Sequence, residues 1–211
     1  MRRSRVNPKS EDHWNAVYRE KPADTVSWYQ ARPATSLDII TRAAPSPDAR
    51  IIDIGGGASS LVDHLLDAGY RHLSVLDIAE SALAAARERI GQRDAKVTWH
   101  AENITTWMPT TRYDVWHDRA VFHFLTEATD RRAYRQTLEQ ALRPGGHAVI
   151  ATFAMDGPEK CSGLPVQRYD AARLLGEIGQ NFELLEQRDE SHQTPGGNTQ
   201  SFNYFLLRRT A

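Results

Sequence analysis

Three polar side chains follow short apolar runs where a ligand can be met: Asp53, Asp77 and Asn103. Asp53 lies in Ile51-Ile52-Asp53-Ile54, just before Gly55-Gly56-Gly57. A strand that runs into a glycine turn and then a helix is the build of a nucleotide-binding crossover. Its glycines let the backbone approach a ligand, and the helix start offers free N–H groups. Asp77 ends a second apolar run about twenty residues on, where a carboxylate can accept both hydroxyls of a ribose. A plain helix-capping Asp is the other reading. Glu102-Asn103-Ile104 follow a third run. The Asn amide has a donor and an acceptor for an adenine edge, with Ile78 and Ile104 on either side of the ring. A polar loop with no ligand is the alternative there. Together these residues point to an adenosine-type ligand.

The carboxylate of Asp53 bears on which one. A pyrophosphate would be repelled by it, whereas a cationic, phosphate-free ligand tolerates it. Ser60 also stands where a dinucleotide fingerprint wants Gly or Ala. Asp118 ends a fourth run beside the glycine turn and is a candidate to face the ligand's charged end; an ion pair with Arg119 or Arg112 is the alternative. His123, in Phe122-His123-Phe124 just past that run, is the candidate general base on the rim, or else a histidine without proton duty. Cys161 has no visible base partner and reads as an incidental thiol.

The elements that must position these groups follow from periodicity. Strands are expected at 51–54, 72–77, 96–100, 113–117 and 147–153, alternating with helices. The helices carry Leu61, Val62, Leu65 and Leu66; then Leu83, Arg87 and Ile90; then Tyr134, Leu138 and Leu142. A short apolar helix is expected at 121–125, and Pro144-Gly145-Gly146 should break the third long helix before the fifth strand. This order predicts an α/β fold with a parallel sheet and helices on both faces. Asp170 should cap a short helix through Leu174, Leu175 and Ile178. Strand-like 182–188 and 200–207 flank Thr194-Pro195-Gly196-Gly197-Asn198, a hairpin turn that makes the last strand antiparallel. Residues 155–168 form a long connection suited to acceptor recognition. Residues 1–45 carry no clear strand, one short amphipathic helix at 13–19 and a dense set of aromatics, Trp14, Tyr18, Trp28 and Tyr29.

Bulk properties set outer bounds. The chain has 211 residues, 40% hydrophobic and 25% charged, enough for one domain with a sizeable core. A formal net charge of -1 gives no field that favours nucleic acid or an anionic membrane. The lone Cys161 excludes an internal disulfide and a cysteine metal site, and suits a cytoplasmic setting. No cluster of Asp and His forms an obvious metal site. No apolar run has membrane-span length, and the basic start Met1-Arg2-Arg3-Ser4-Arg5 reads as a frayed tail, not a signal peptide.

Asp53-x-Gly-Gly-Gly, Leu76-Asp77, Glu102-Asn103-Ile104, Tyr113-Asp114-Val115 and Leu142-Arg143-Pro144-Gly145-Gly146 occur in this order. As a set, over roughly residues 50–209, they resemble the class I S-adenosylmethionine-dependent methyltransferases. The leader His13-Trp14-Asn15-x-x-Tyr18 and Ser27-Trp28-Tyr29 further resembles a bacterial subgroup related to small protein-lysine methyltransferases. Asn103 stands where many of these have Asp.

The resemblance implies a Rossmann-like seven-stranded sheet, mostly parallel with an antiparallel C-terminal hairpin strand, in one domain of a 1–45 cap and a 46–211 core. It implies S-adenosylmethionine as cofactor, with Asp53, Gly55 and Gly57 at its methionine end and Asp118 near by. Asp77 would bind the ribose, Ile78, Asn103 and Ile104 the adenine. Trp14 and Trp28 would fold over it as a lid, drawn to a sulfonium by cation–π attraction, unless they serve only to pack the leader. The expected activity is in-line methyl transfer to a small molecule. The Asn/Asp-Pro-Pro-aromatic of base-amino methylating enzymes is replaced by His117-Asp118-Arg119-Ala120, which argues against a nucleic-acid acceptor. A protein-lysine acceptor, or a cofactor-binding regulator without catalysis, are the alternatives.

Overall fold

The computed structural model describes residues 8–211. The basic segment Met1 to Arg5 lies outside the described residues. Two helices lead, α1 (Pro8–Glu20) and α2 (Ala34–Ala43). The alternating core follows: β1 (Arg50–Ile54), α3 (Leu61–Asp67), β2 (His72–Asp77), α4 (Glu80–Ile90), β3 (Val97–Ala101), β4 (Tyr113–Arg119), α5 (Ala128–Ala141) and β5 (Leu142–Phe153). Two-residue strands β6 (Lys160–Cys161) and β7 (Leu164–Pro165) form a small hairpin, and α6 (Ala171–Ile178), β8 (Phe182–Gln193) and β9 (Thr199–Arg209) complete the chain.

The sheet has seven strands in the order β3-β2-β1-β4-β5-β9-β8. β1 to β5 pair in parallel, and β9 runs antiparallel between β5 and β8. This is the Rossmann-like α/β sheet the sequence implied. Strand order reverses beside β1, and the β1 and β4 carboxyl ends open a crevice there, the place where open α/β sheets bind ligands.

Strand alternation splits the core in two. Ile51, Val115, Val149 and Leu206 face α2, α3 and α4 on one side. Ile52, Trp116, Ile150 and Phe205 face α5 and α6 on the other. Both faces of the central strands are covered, so β1 and β2 read as near-continuous apolar runs.

Several expectations shift. α2 went unread, although Leu37, Ile39 and Ile40 are buried at helical spacing. The expected helix at 121–125 is a single 3-10 turn over Phe122–Phe124. Pro144-Gly145-Gly146 does not separate helix from strand: β5 starts at Leu142 and absorbs the turn as a register shift opposite Tyr113 and Val115. Gly145 makes this possible with φ 76°. β8 continues five residues beyond Arg188, with one face largely half-buried and one exposed as suits an edge strand. Asp170 does cap α6, its side chain accepting from the Arg173 amide at 2.9 Å.

Candidate active site

The glycine turn is built to admit no side chain. Gly55 has φ 65°, and a Cβ there would sit 2.1 Å from Val121 Cγ2. A Cβ on Gly57 would lie 2.6 Å from Asp77 Oδ2, and one on Gly56 2.5 Å from Asp53 Oδ2. The turn is therefore wedged between the two carboxylates. Ser60, the departure from the dinucleotide pattern, donates its hydroxyl to Gln30 O at 2.8 Å and ties the leader to the turn.

A cavity of about 410 Å³ opens above the carboxyl ends of the strands. On one side it meets Gly55, Asp77, Ile78, Asn103 and Ile104; on the other it runs to Arg119, Phe124, Phe153, Cys161, Gln200 and Phe202. Trp14, Tyr18 and Trp28 close it from the leader. Trp14 packs edge-on against both Trp28 and Phe124, with centroids 5.7 and 5.1 Å apart. The leader aromatics thus pack with one another and line the cavity at once. α1 is anchored where Asn15 Oδ1 accepts both the amide and the hydroxyl of Ser81, at 3.2 and 2.9 Å, near the start of α4.

Asp77 is buried, and one of its oxygens accepts the Ala79 amide at 2.8 Å. Burial, with a smaller push from Asp53, raises its pKa to about 7. Asn103 Oδ1 accepts from both the amide and the hydroxyl of Thr105, at 2.9 and 2.8 Å. A backbone N–H must meet an oxygen, so this fixes the amide's orientation. The expected donor-plus-acceptor pair is reduced to a donor, because the acceptor closes its own turn.

Asp53 does not reach the large cavity. Its Oδ1 lies 2.7 Å from His117 Nδ1, whose Nε2 lies 2.9 Å from Ser36 Oγ. It lines a narrow side cleft of about 40 Å³ that shares Tyr18, Trp28, Gly55 and Arg119 with the main cavity. Gly57 likewise is absent from the main cavity's lining.

Two sequence candidates fall elsewhere. Asp118 faces α5: its oxygens accept the Val121 and Phe122 amides at 2.9 and 3.1 Å and the Tyr134 hydroxyl at 2.6 Å. Strand alternation sends Trp116 and Asp118 to that side and Arg119 to the cavity, so Asp118 meets neither ligand nor arginine. Burial lifts its pKa to about 6 against those hydrogen bonds. His123 is fully buried between Phe124 and Phe153 and does not line the cavity. Its Nδ1 accepts the Phe153 amide at 3.4 Å, and burial drives its pKa down to about 3, which removes it as a base.

Arg119, Gln200 and Phe202 were missed. Arg119 carried a signal, a charged residue ending a core strand. Gln200 and Phe202 carried none, because they join the site only where β9 begins alongside the end of β5. Of the 155–168 loop, Cys161 reaches the cavity, and burial pushes its thiol pKa up to about 11. Among the described residues no group of His, Cys, Asp and Glu is placed to hold a metal, and no helix is long and apolar enough to cross a membrane.

A glycine turn, a buried acid ending the next strand and a crevice at the strand-order reversal define a nucleoside-binding α/β domain. Residues 52–148 match the family model described as a methyltransferase domain. The matched segment, just under half of the chain, carries the glycine turn, Asp77 and Asn103. The chain is 24% identical over 151 residues to the eEF1A lysine and N-terminal methyltransferase of Danio rerio, an alignment covering 70% of this chain and 22% of that protein. The chain thus spans about a fifth of that relative's length. The solved N-methyltransferase NodS of Bradyrhizobium japonicum, in complex with S-adenosylhomocysteine, superposes with TM-score 0.72 at 17% identity, over 94% of this chain and 99% of that one. The 1,6-didemethyltoxoflavin-N1-methyltransferase of Burkholderia thailandensis, with its namesake and S-adenosylhomocysteine bound, gives TM-score 0.72 at 16% identity, over 100% and 94%. These two likenesses concern the fold.

Proposed function

We propose that this chain transfers a methyl group from S-adenosylmethionine to a small-molecule acceptor. One observation carries the reading: a single cavity joins the glycine turn, Asp77 and Asn103 to a deep end walled by Phe124, Phe153 and Phe202. Its volume of about 410 Å³ is toward the small end of ligand sites, which suits the cofactor and a compact acceptor.

The residues fit the cofactor. The turn at Gly55 and Gly57 has no room for side chains, and Asp77 is a buried acid on the cavity wall, positioned to accept ribose hydroxyls. Ile78 and Ile104 would flank the adenine while Asn103 donates to its edge. Asp53, from the side cleft, would face the methionine ammonium group. When bound, S-adenosylmethionine supplies a methyl carbon on a sulfonium that leaves as a neutral thioether. The chain's own part is alignment and exclusion of water, with Trp14 and Trp28 covering the cationic centre. Residues 1–45 act as cap and 46–211 as core of one domain, working in the cytoplasm, where the free Cys161 stays reduced.

Titration calorimetry with S-adenosylmethionine and with NAD tests this reading; binding of NAD alone would reject it. A protein-lysine acceptor is the second reading, favoured by the name of the Danio rerio relative. Methyl-labelled cofactor added to cell lysate separates the two: a labelled protein band supports the second, a labelled small product the first.

A further inference from the structure

We infer that the end of the cavity away from Asp77 is an acceptor subsite for a small amine on an apolar body, with Gln200 taking an N–H of the reacting nitrogen. The inference rests on the methyl-transfer reading above and names the acceptor class that reading leaves open.

The subsite offers a hydrogen-bond acceptor and holds its one cation in reserve for protein groups. Gln200 lines the cavity at 9% exposure, and its Oε1 is buried without a hydrogen bond among the described residues. A buried oxygen is rarely left unmatched, so this one calls for a ligand that brings a donor. Arg119 is the only basic side chain among the described lining residues, and all its nitrogens are engaged. Nε donates to the Tyr204 hydroxyl at 2.9 Å and Nη1 to Trp28 O at 3.0 Å, while Nη2 ion-pairs with Glu190 Oε1 at 3.6 Å. The guanidinium also stacks 4.4 Å from the Phe202 ring centroid. It is therefore a wall of the subsite and not an anion receptor.

The charge balance of the lining points the same way. Asp77 stands on the adenosine side, and Glu102, Glu127 and Asp130 are exposed or half-exposed at the mouth. Against these carboxylates stands one guanidinium, already paired with Glu190. Such a mouth draws cations in and turns anions away. The rings of Phe124, Phe153 and Phe202 hold an apolar body and attract a positive charge by their faces.

This field sorts the acceptor atoms. An alcohol or a thiol attacks as an anion, which the lining opposes. An amine attacks as a neutral nitrogen and ends as a cation, which the lining favours. The step balances. The incoming ammonium gives a proton to water; the nitrogen lone pair then bonds to the methyl carbon as the carbon–sulfonium bond breaks, its electron pair staying on the departing sulfur. A methylated ammonium and S-adenosylhomocysteine result, so the positive charge stays in the cavity and moves from sulfur to nitrogen.

The test incubates the full chain with saturating methyl-labelled S-adenosylmethionine and, separately, benzylamine, 2-phenylethylamine, tryptamine, 2-phenylethanol and 2-phenylethanethiol. The expected result is methylation of at least one amine, with kcat/KM at least about 100-fold above the alcohol and the thiol. Calorimetry of that amine onto the S-adenosylhomocysteine complex gives a readout besides turnover, and the binding should weaken as salt is raised. Glu127→Gln combined with Asp130→Asn should weaken it about twofold to fivefold, with the Kd for S-adenosylhomocysteine unchanged as the check on folding. Gln200→Leu should weaken it at least about tenfold. Gln200→Glu, which presents only acceptor oxygens, should keep or tighten it. A loss for Gln200→Glu as large as for Gln200→Leu overturns the inference, because the ligand would then be using the amide's donor. Preference for the alcohol or the thiol overturns it, as does normal cofactor binding with no small amine bound or turned over, including the case where only protein lysines are methylated. Failure to bind the cofactor at all rejects the methyl-transfer reading itself.

Discussion

Asp53 and His117 are register partners on adjacent strands β1 and β4, and the imidazole Nδ1 lies 2.7 Å from the carboxylate. The acid of the glycine motif is thus braced from the side, and Ser36 on α2 holds the far nitrogen of the same ring. His117→Phe should destabilise the fold by about 1–3 kcal/mol, since it leaves a buried carboxylate without its partner. It should also weaken cofactor binding, because Asp53 packs under Gly56. Thermal melts and calorimetry on the same variant check both; unchanged cofactor Kd would mean that the brace serves stability alone.

Gly57→Ala places a methyl group 2.6 Å from Asp77 Oδ2 in a left-handed backbone of φ 32°. The neighbour is a pinned carboxylate, so the turn must move. We expect a loss of about 1–3 kcal/mol in stability and at least a tenfold loss of cofactor affinity.

Asp77→Ala should weaken cofactor binding by about 1–3 kcal/mol if Asp77 holds the ribose. The ionised acid accepts hydroxyls, so wild-type affinity should rise with pH up to about 7 and then level. In the free protein the sign is opposite. The folded pKa is raised above the unfolded value of 3.8, so the contribution to stability is full below about pH 4 and is lost as pH rises through about 7. Asp77→Asn should flatten both profiles, measured by calorimetry and by urea melts across pH 4–8.

Tyr134→Phe removes the 2.6 Å hydrogen bond to Asp118, and with it the acceptor of the Trp116 Nε1–H at 2.9 Å. Stability should fall by about 1–3 kcal/mol. Cofactor affinity should stay within a factor of two, because this network lies on the α5 face. A large loss of affinity would return Asp118 to the ligand site.

Asn15→Ala deletes the acceptor that holds α1 on Ser81. A lost cap of this kind costs about 1 kcal/mol. Cofactor affinity should drop about threefold to tenfold while the melting temperature falls by only about 2–4 °C, since the leader and not the sheet is loosened. Faster cofactor dissociation in stopped-flow would report the same event.

Much of the fold was legible because local rules decided it. Gly69 and Gly91 follow helices, both with positive φ, and the Thr194 to Asn198 turn joins the last two strands. The 3-10 turn at Phe122–Phe124 and the absorbed Pro144-Gly145-Gly146 were not legible, because both answer to packing on neighbouring strands.

By itself the sequence determined the sheet, the glycine turn and the strand ends that place Asp77 and Asn103 at the cavity. There each functional residue sits at the end of its own apolar run, and a strand's end is a local property. Only the tertiary structure decided the other side. Strand alternation has a period of two, so a one-residue difference sends Asp118 to α5 and Arg119 into the cavity. Gln200 and Phe202 enter from a strand more than eighty residues away in the chain, because β9 pairs antiparallel to β5. His123 follows the same logic: a rim position by sequence, it becomes a sealed one because Phe153 and Phe124 close around its ring.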